Sequence, residues 1–174
     1  MKNRLENIVF GGGCFWCTEA VFSRVKGVVK VICGYAGGKT KNPDYDKVSK
    51  GNTGHAEVIM IKYNPKIISF EEILDIFFIM HDPTSLNRQG GDIGSQYRSI
   101  ILYISEDQKR KAELFIKRIQ SNFNKLIVTE IKKLEKFYPA ESYHQEYYEK
   151  NPNQPYCRLV ISPKIKRLTN KLLK

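Results

Sequence analysis

Short apolar runs at residues 7–10, 28–35, 55–63, 98–104 and 127–134 read as strands, with helical patterns between them. An amphipathic stretch over 15–25 gives the first helix. Ser69-Phe-Glu-Glu72 has the spacing of a capping box and opens a helix through Met80. Ser105-Glu-Asp-Gln108 has the same spacing and opens another over 106–122. The order β-α-β-β-α-β predicts an α+β fold: a split β-α-β, ferredoxin-like sandwich with a mixed, mainly antiparallel sheet and an extended C-terminal segment. A doubly wound parallel sheet is the alternative. It would need a crossover helix between 35 and 55, where the sequence is Gly-, Lys- and Asn-rich and non-periodic, as a loop is. That loop and the one over 81–96 are the places to build a site.

Composition adds a scale and a compartment. At 174 residues, with 41% hydrophobic residues, the chain suits one domain over 1–174 with a real core. The opening Met-Lys-Asn-Arg-Leu-Glu-Asn lacks a signal-peptide apolar region, and no apolar run is long enough to span a bilayer. A cytoplasmic location is therefore expected, and four cysteines in a reducing compartment point to catalysis or metal binding rather than a disulfide framework. The net charge of +11 raises nucleic acid as a partner. The charge is spread over 106–122 and gathered in the tail 164–174, without a helix-turn-helix or RNA-binding aromatic pattern, so a solvated basic surface is expected instead.

The chemistry concentrates in Phe10-Gly-Gly-Gly-Cys14-Phe-Trp-Cys17-Thr-Glu19. A strand, a glycine turn and a helix in that order place Cys14 in a first helical turn, where free N–H groups and the positive end of the dipole favour an anion. A thiol there is expected to have a pKa below the ordinary value of about 8.5 and to act as a nucleophile. The glycines, Gly13 among them, would let a substrate approach the backbone. A small buried hydrophobe at a turn is the competing reading of Cys14. Cys14 and Cys17 also form a C-x-x-C, which suits a redox pair. Zinc would need a second ligand pair, and Cys33, Cys157, His55, His81 and His144 offer none at metal spacing.

Other short motifs are weak singly: Asn42-Pro-Asp-Tyr45, Gly51-Asn-Thr-Gly-His-Ala-Glu57 and Asp92-Ile-Gly-Ser-Gln-Tyr97-Arg98. Taken with Gly34-Tyr-Ala-Gly-Gly38, His81-Asp-Pro-Thr, Phe137-Tyr-Pro-Ala-Glu141, Tyr143-His-Gln145 and Asn151-Pro through Tyr156-Cys157, they run in one order along nearly the whole chain. That series closely resembles the type A peptide methionine sulfoxide reductases.

The resemblance implies the same split β-α-β fold and a role for each matching residue. Cys14 matches the nucleophile that attacks the sulfoxide sulfur, and Glu57 the general acid, which must be kept protonated by an apolar setting. Tyr45 and Tyr97 match phenols that hydrogen-bond the sulfoxide oxygen, and Asp92 a supporting carboxylate. Phe15 and Trp16 match the pocket for the substrate methyl group, which admits the S epimer. His55 leads into the strand carrying Glu57 and reads either as orienting the substrate site or as a satisfied structural histidine, and Tyr143-His144-Gln145 is taken to line the rim of the cleft. Cys157 matches the resolving cysteine, with Cys17 as the alternative, although the sequence after Cys157 looks ordered rather than glycine-rich. Cys33 reads as packing. The resemblance implies free or protein-bound methionine sulfoxide as substrate and thioredoxin as reductant. It implies no metal, no further cofactor, no nucleic acid, no membrane and a monomer. A generic thiol–disulfide oxidoreductase using Cys14 and Cys17, and a basic nucleic-acid module, are the rival classes.

Overall fold

The computed structural model describes residues 4–172. Its central sheet begins with β1 (Glu6–Gly11), β2 (Val28–Ala36), β3 (Ala56–Tyr63) and β6 (Ile100–Tyr103), with a small hairpin of β4 (Arg88–Gln89) and β5 (Asp92–Ile93) before β6. β7 (Glu130–Lys133) and β8 (Phe137–Pro139) complete it in the order β7-β6-β1-β3-β2-β8. The inner four strands pair antiparallel, β8 adds antiparallel to β2, and β7 adds parallel to β6. With α1 (Phe15–Phe22) after β1 and α3 (Phe70–Met80) after β3, this is the split β-α-β sandwich read from the element order.

Alternation along the strands divides the core. Ile8 and Phe10 of β1, Ile59, Ile61 and Tyr63 of β3, and Cys33 and Tyr35 of β2 face the helices and join one buried cluster. Val9, Val58, Ile100 and Leu102 face the other side in a smaller cluster. The same period sends Glu57 to the helix side, directly across from Tyr35. That parity puts a carboxylate at the end of β3 under the start of α1.

The helix starts hold with one difference. Ser69 and Glu72 exchange both bonds of a capping box at α3. At α4 (Glu106–Ile119) Ser105 accepts from the Gln108 N–H, but the Gln108 side chain turns away. Its oxygen accepts from the Ile104 N–H at 2.8 Å and its amide donates to the Asn7 carbonyl at 2.8 Å, tying the ends of β6 and β1. The loop between β2 and β3 contains a short helix, α2 (Tyr45–Ser49), capped by Asp44. The C-terminal segment carries a tight turn at Ser142–His144, α5 (Tyr147–Lys150), a wide turn at Cys157–Ile161 and α6 (Ser162–Leu172). The basic tail is thus helical through Leu172, and its last two residues lie outside the described ones, as do Met1 to Asn3. No helix among the described residues is long and apolar enough to cross a membrane.

Candidate active site

Gly11, Gly12 and Gly13 turn the chain from β1 into α1. A Cβ on Gly12 would lie 2.9 Å from the Phe77 ring and 3.3 Å from His81, so the turn sits directly on α3. Gly13 has φ +97°, and a Cβ there would lie 2.7 Å from the Gln89 stem. The Gln89 side chain fills the space that this glycine leaves on that side. Gln89 is itself fixed by exchanging bonds with the Asp82 backbone.

Cys14 is the N-cap residue of α1 and is buried at 9% exposure. The Phe15 N–H behind it donates to Glu57 Oε2 at 3.1 Å. Burial pushes the Glu57 carboxyl up to about 8, with the nearby Asp92 and Cys17 charges adding to the effect. The carboxyl is therefore largely protonated at neutral pH.

The thiol departs from expectation. Burial pushes Cys14 well up, with the Cys17 hydrogen bond and the Glu57 charge adding to it, so the helix terminus does not yield a free low-pKa Cys14 thiolate. Its bond to Cys14 brings Cys17 down to about 7, and the Lys164 charge from α6 helps. The two thiols titrate as one pair, with a single negative charge held between them.

Two phenols flank this centre. Tyr45, first residue of α2, and Tyr97, in the turn Ser95–Tyr97, are both half-buried. Burial and the Glu57 and Cys14 charges push both hydroxyls up, so they remain donors at neutral pH. Asp92 accepts from Tyr156 Oη at 2.7 Å, and Tyr156 Oη lies 3.5 Å from Cys17 Sγ. Tyr156 thus links the carboxylate to the cysteine pair, a role its sequence motif did not disclose. Cys157 is buried with Cys14 and Cys17 in one apolar cluster, and burial, with the Cys17 charge adding, pushes its thiol up. All four cysteines are free. Cys33 packs in the main core with its thiol toward the Phe15 carbonyl.

The aromatic wall is deeper than its two expected members. Phe15 is fully buried, its ring 5.7 Å from Tyr35 and 5.0 Å from His144. Trp16 is half-buried and stacks on Tyr147 with centroids 3.7 Å apart and planes 5° from parallel. Tyr147 is held through Glu19, a buried carboxyl that accepts from the Glu146 N–H at 2.9 Å where the backbone is left-handed, φ 55°. Glu141 accepts from the Tyr45 N–H at 2.9 Å and the Tyr35 hydroxyl at 2.8 Å, placing α2 against the wall.

His55 does something else. Its Nδ1 accepts from the Gly38 N–H at 3.0 Å and its Nε2 pairs with the Thr40 carbonyl at 2.7 Å. Both nitrogens are engaged by the start of the loop between β2 and β3, so the bonds favour the structural reading of His55 over an orienting one. The larger concavities lie elsewhere; one of about 650 Å³ is bordered by Val28 to Ile32 and Ser142. A methyl-sized reacting group needs no such volume.

A sequence model of the family described as peptide methionine sulfoxide reductase matches residues 6–174. The chain belongs to that family, in its type A branch. Peptide methionine sulfoxide reductase MsrA of Sulfolobus acidocaldarius is 57% identical over 163 residues, covering 94% of this chain and 93% of that one. The reduced form of Mxr1 from Saccharomyces cerevisiae superposes with a TM-score of 0.84 at 36% identity, over 90% of this chain and 91% of that one. Mxr1 in complex with Trx2 matches with a TM-score of 0.60 at 26% identity, over 84% and 87% of the two chains. The chain is accordingly an oxidoreductase that reduces methionine sulfoxide by cysteine chemistry.

Proposed function

We propose that this reductase acts on the S epimer of methionine sulfoxide, free or in proteins, with Cys14 as nucleophile and Glu57 as proton donor. The carrying observation is the buried Glu57 carboxyl, bonded to the Phe15 N–H at 3.1 Å and held protonated beneath Cys14. Cys14 attacks the sulfur as its proton passes to the Cys17 thiolate, and negative charge develops on the sulfoxide oxygen. Tyr45 and Tyr97 donate to that oxygen, Glu57 supplies its proton, and Asp92 steadies the cysteine pair through Tyr156. Phe15 and Trp16 wall the space for the methyl group, which sets the epimer. Oxygen passes to Cys14, leaving methionine and a sulfenic acid.

A second thiol then condenses with the sulfenic acid, forming a disulfide and water. We assign the final disulfide to Cys157. A second reading gives Cys17 the first attack, because Cys14 lowers its pKa to about 7, which favours the attacking thiolate, and all three cysteines share one apolar cluster. Thioredoxin reduces the disulfide to two thiols, a reading supported by the similarity to Mxr1 bound to Trx2. The reading takes 1–174 as one catalytic domain that repairs oxidised proteins. It acts as a monomer in the reducing cytoplasm, needing no metal or further cofactor.

Sulfoxide loss with dithiothreitol, followed by disulfide mapping after one turnover, tests the cysteine assignments. Cys14→Ser is expected to abolish turnover with any reductant, since a hydroxyl is the weaker nucleophile. Cys157→Ser is expected to keep one fast turnover but lose thioredoxin-supported cycling. Cycling retained by Cys157→Ser and lost by Cys17→Ser would transfer the resolving role to Cys17.

A further inference from the structure

His144 lies in the turn Ser142–His144 and is 1% exposed. Its Nδ1 accepts the indole N–H of Trp16 at 3.1 Å. An indole can only donate, so Nδ1 must carry no proton and the ring is the Nε2–H tautomer. Nε2 is buried without a hydrogen-bond partner, and Glu141 Oε2 stands 3.6 Å away, beyond bonding range. Phe15, Tyr45 and Tyr143 enclose the ring with centroids 5.0, 4.6 and 4.1 Å away. Trp16 is thus located by a face-to-face stack on Tyr147, an edge contact with the Tyr156 ring at 6.0 Å and one hydrogen bond to His144. The stack fixes its plane, and the bond fixes its rotation within that plane.

We propose that His144 is a positioning residue whose unprotonated Nδ1 anchors the Trp16 wall, and that protonation of this nitrogen releases the indole and weakens binding of the sulfoxide methyl group. This rests on the reading of Trp16 as part of the methyl pocket. A proton on Nδ1 would set two N–H donors against each other across 3.1 Å, and the indole must turn or withdraw. The titratable groups facing the ring are Glu141 and Tyr143 on its own segment and Tyr45 from α2; α1 presents the uncharged Phe15 and Trp16. Burial holds the imidazole below its ordinary value even though the Glu141 charge pulls the other way. The wall is therefore locked at neutral pH and is released on the acid side of the ordinary histidine range, near 6.5.

Trp16 is the only tryptophan in the chain, so the emission comes from this ring alone, and the comparison with His144→Asn separates the His144 contribution from that of the neighbouring cysteine pair. The test follows emission and steady-state kinetics on free methionine sulfoxide from pH 8 to 5. The wild type, His144→Asn and His144→Phe are compared. The wild type is expected to show a one-proton change in emission below pH 6.5, with KM rising about fivefold along it, the effect of losing one neutral hydrogen bond. His144→Asn, whose amide oxygen offers an acceptor in place of Nδ1 without titrating, is expected to lack that emission change and keep a flat KM. His144→Phe, with no acceptor, is expected to show altered emission and raised KM already at pH 8. The same acid transition in His144→Asn, or a wild-type emission change with no change in KM, would overturn the proposal. Trp16→Leu tests the underlying reading separately. An unchanged KM at pH 8 in that variant removes the pocket role of Trp16, whereas the emission comparison still decides whether His144 governs the indole.

Discussion

Glu57 has to be a carboxylic acid at a pH where carboxylates are normally charged, and its surroundings make it one. Alternation along β3 turns it inward, α1 covers it, and its one backbone partner is too little to hold the charge. Its pKa near 8 stands just above the ionisation near 7 at the cysteine pair. The rate should therefore trace a narrow bell, rising as the pair loses its first proton and falling as Glu57 loses its own. Glu57→Gln is expected to slow sulfoxide reduction by roughly 10²- to 10⁴-fold and to remove the alkaline limb of kcat/KM. An alkaline limb unchanged in that variant would assign the falling side to another group. Tyr45→Phe and Tyr97→Phe should each cost less than Glu57→Gln, since each removes one donor of a shared set. The motif around Glu57 indicated its chemistry, but its depth came from the packing of α1. The thiol shows the converse. Helix position argued for a lowered Cys14 pKa, and burial, which no local pattern carries, reversed it.

At the scale of elements, local signals were legible where the stabilising partners lie close in sequence. The Ser69–Glu72 box forms as written. Five strands appear at the expected places because their apolar faces repeat along the strand itself. Elements held from afar were not legible: β8 exists through pairing with β2, α2 starts under Glu141, and α5 is fixed by Glu19 from α1. For the same reason the stack of Tyr147 on Trp16 and the link from Tyr156 to the cysteine pair emerged only in three dimensions, and His144, expected at the rim, proved to bond Trp16. Gln108 makes the distinction measurable. As the last residue of a supposed capping box it would matter only to α4, yet its side chain bonds β6 and β1 instead. Ser105→Ala is expected to cost about 1 kcal/mol in urea unfolding. Gln108→Ala should cost about 2 kcal/mol, since it leaves the part-buried Ile104 N–H and Asn7 carbonyl without partners. Equal losses would mean that Gln108 acts only as a cap.

For the whole molecule, the buried titratable groups that shape the site also set the pH range in which the fold is stable. His81 supports the glycine turn from below, its Nδ1 bonded to the Phe77 carbonyl and its Nε2 to Ser99 Oγ. Burial lowers its pKa to about 4, against 6.5 when solvated. The unfolded chain thus binds this proton first as pH falls. The stability from a neutral His81 is intact above 6.5 and declines by about 3 kcal/mol as pH drops toward 4. Glu57 acts from the other side. Its folded pKa is raised from 4.5 to about 8, so it imposes no penalty below 4.5. The unfolded chain gains ionisation energy that the native state forgoes as pH rises from there, up to about 4 kcal/mol at pH 8. In the proposed role of proton donor, Glu57 is therefore a cost to the fold near neutral pH, a trade between function and stability. Glu57→Gln keeps an acceptor for the Phe15 N–H and removes the ionisable group. Urea unfolding at pH 5 and pH 8 is expected to show the variant only slightly more stable than the parent at pH 5. At pH 8 it should be more stable by several kcal/mol, while almost inactive at both. A stability difference that is the same at the two pH values would mean that Glu57 is already charged in the native protein, and the proton it is assigned to deliver would have to come from elsewhere.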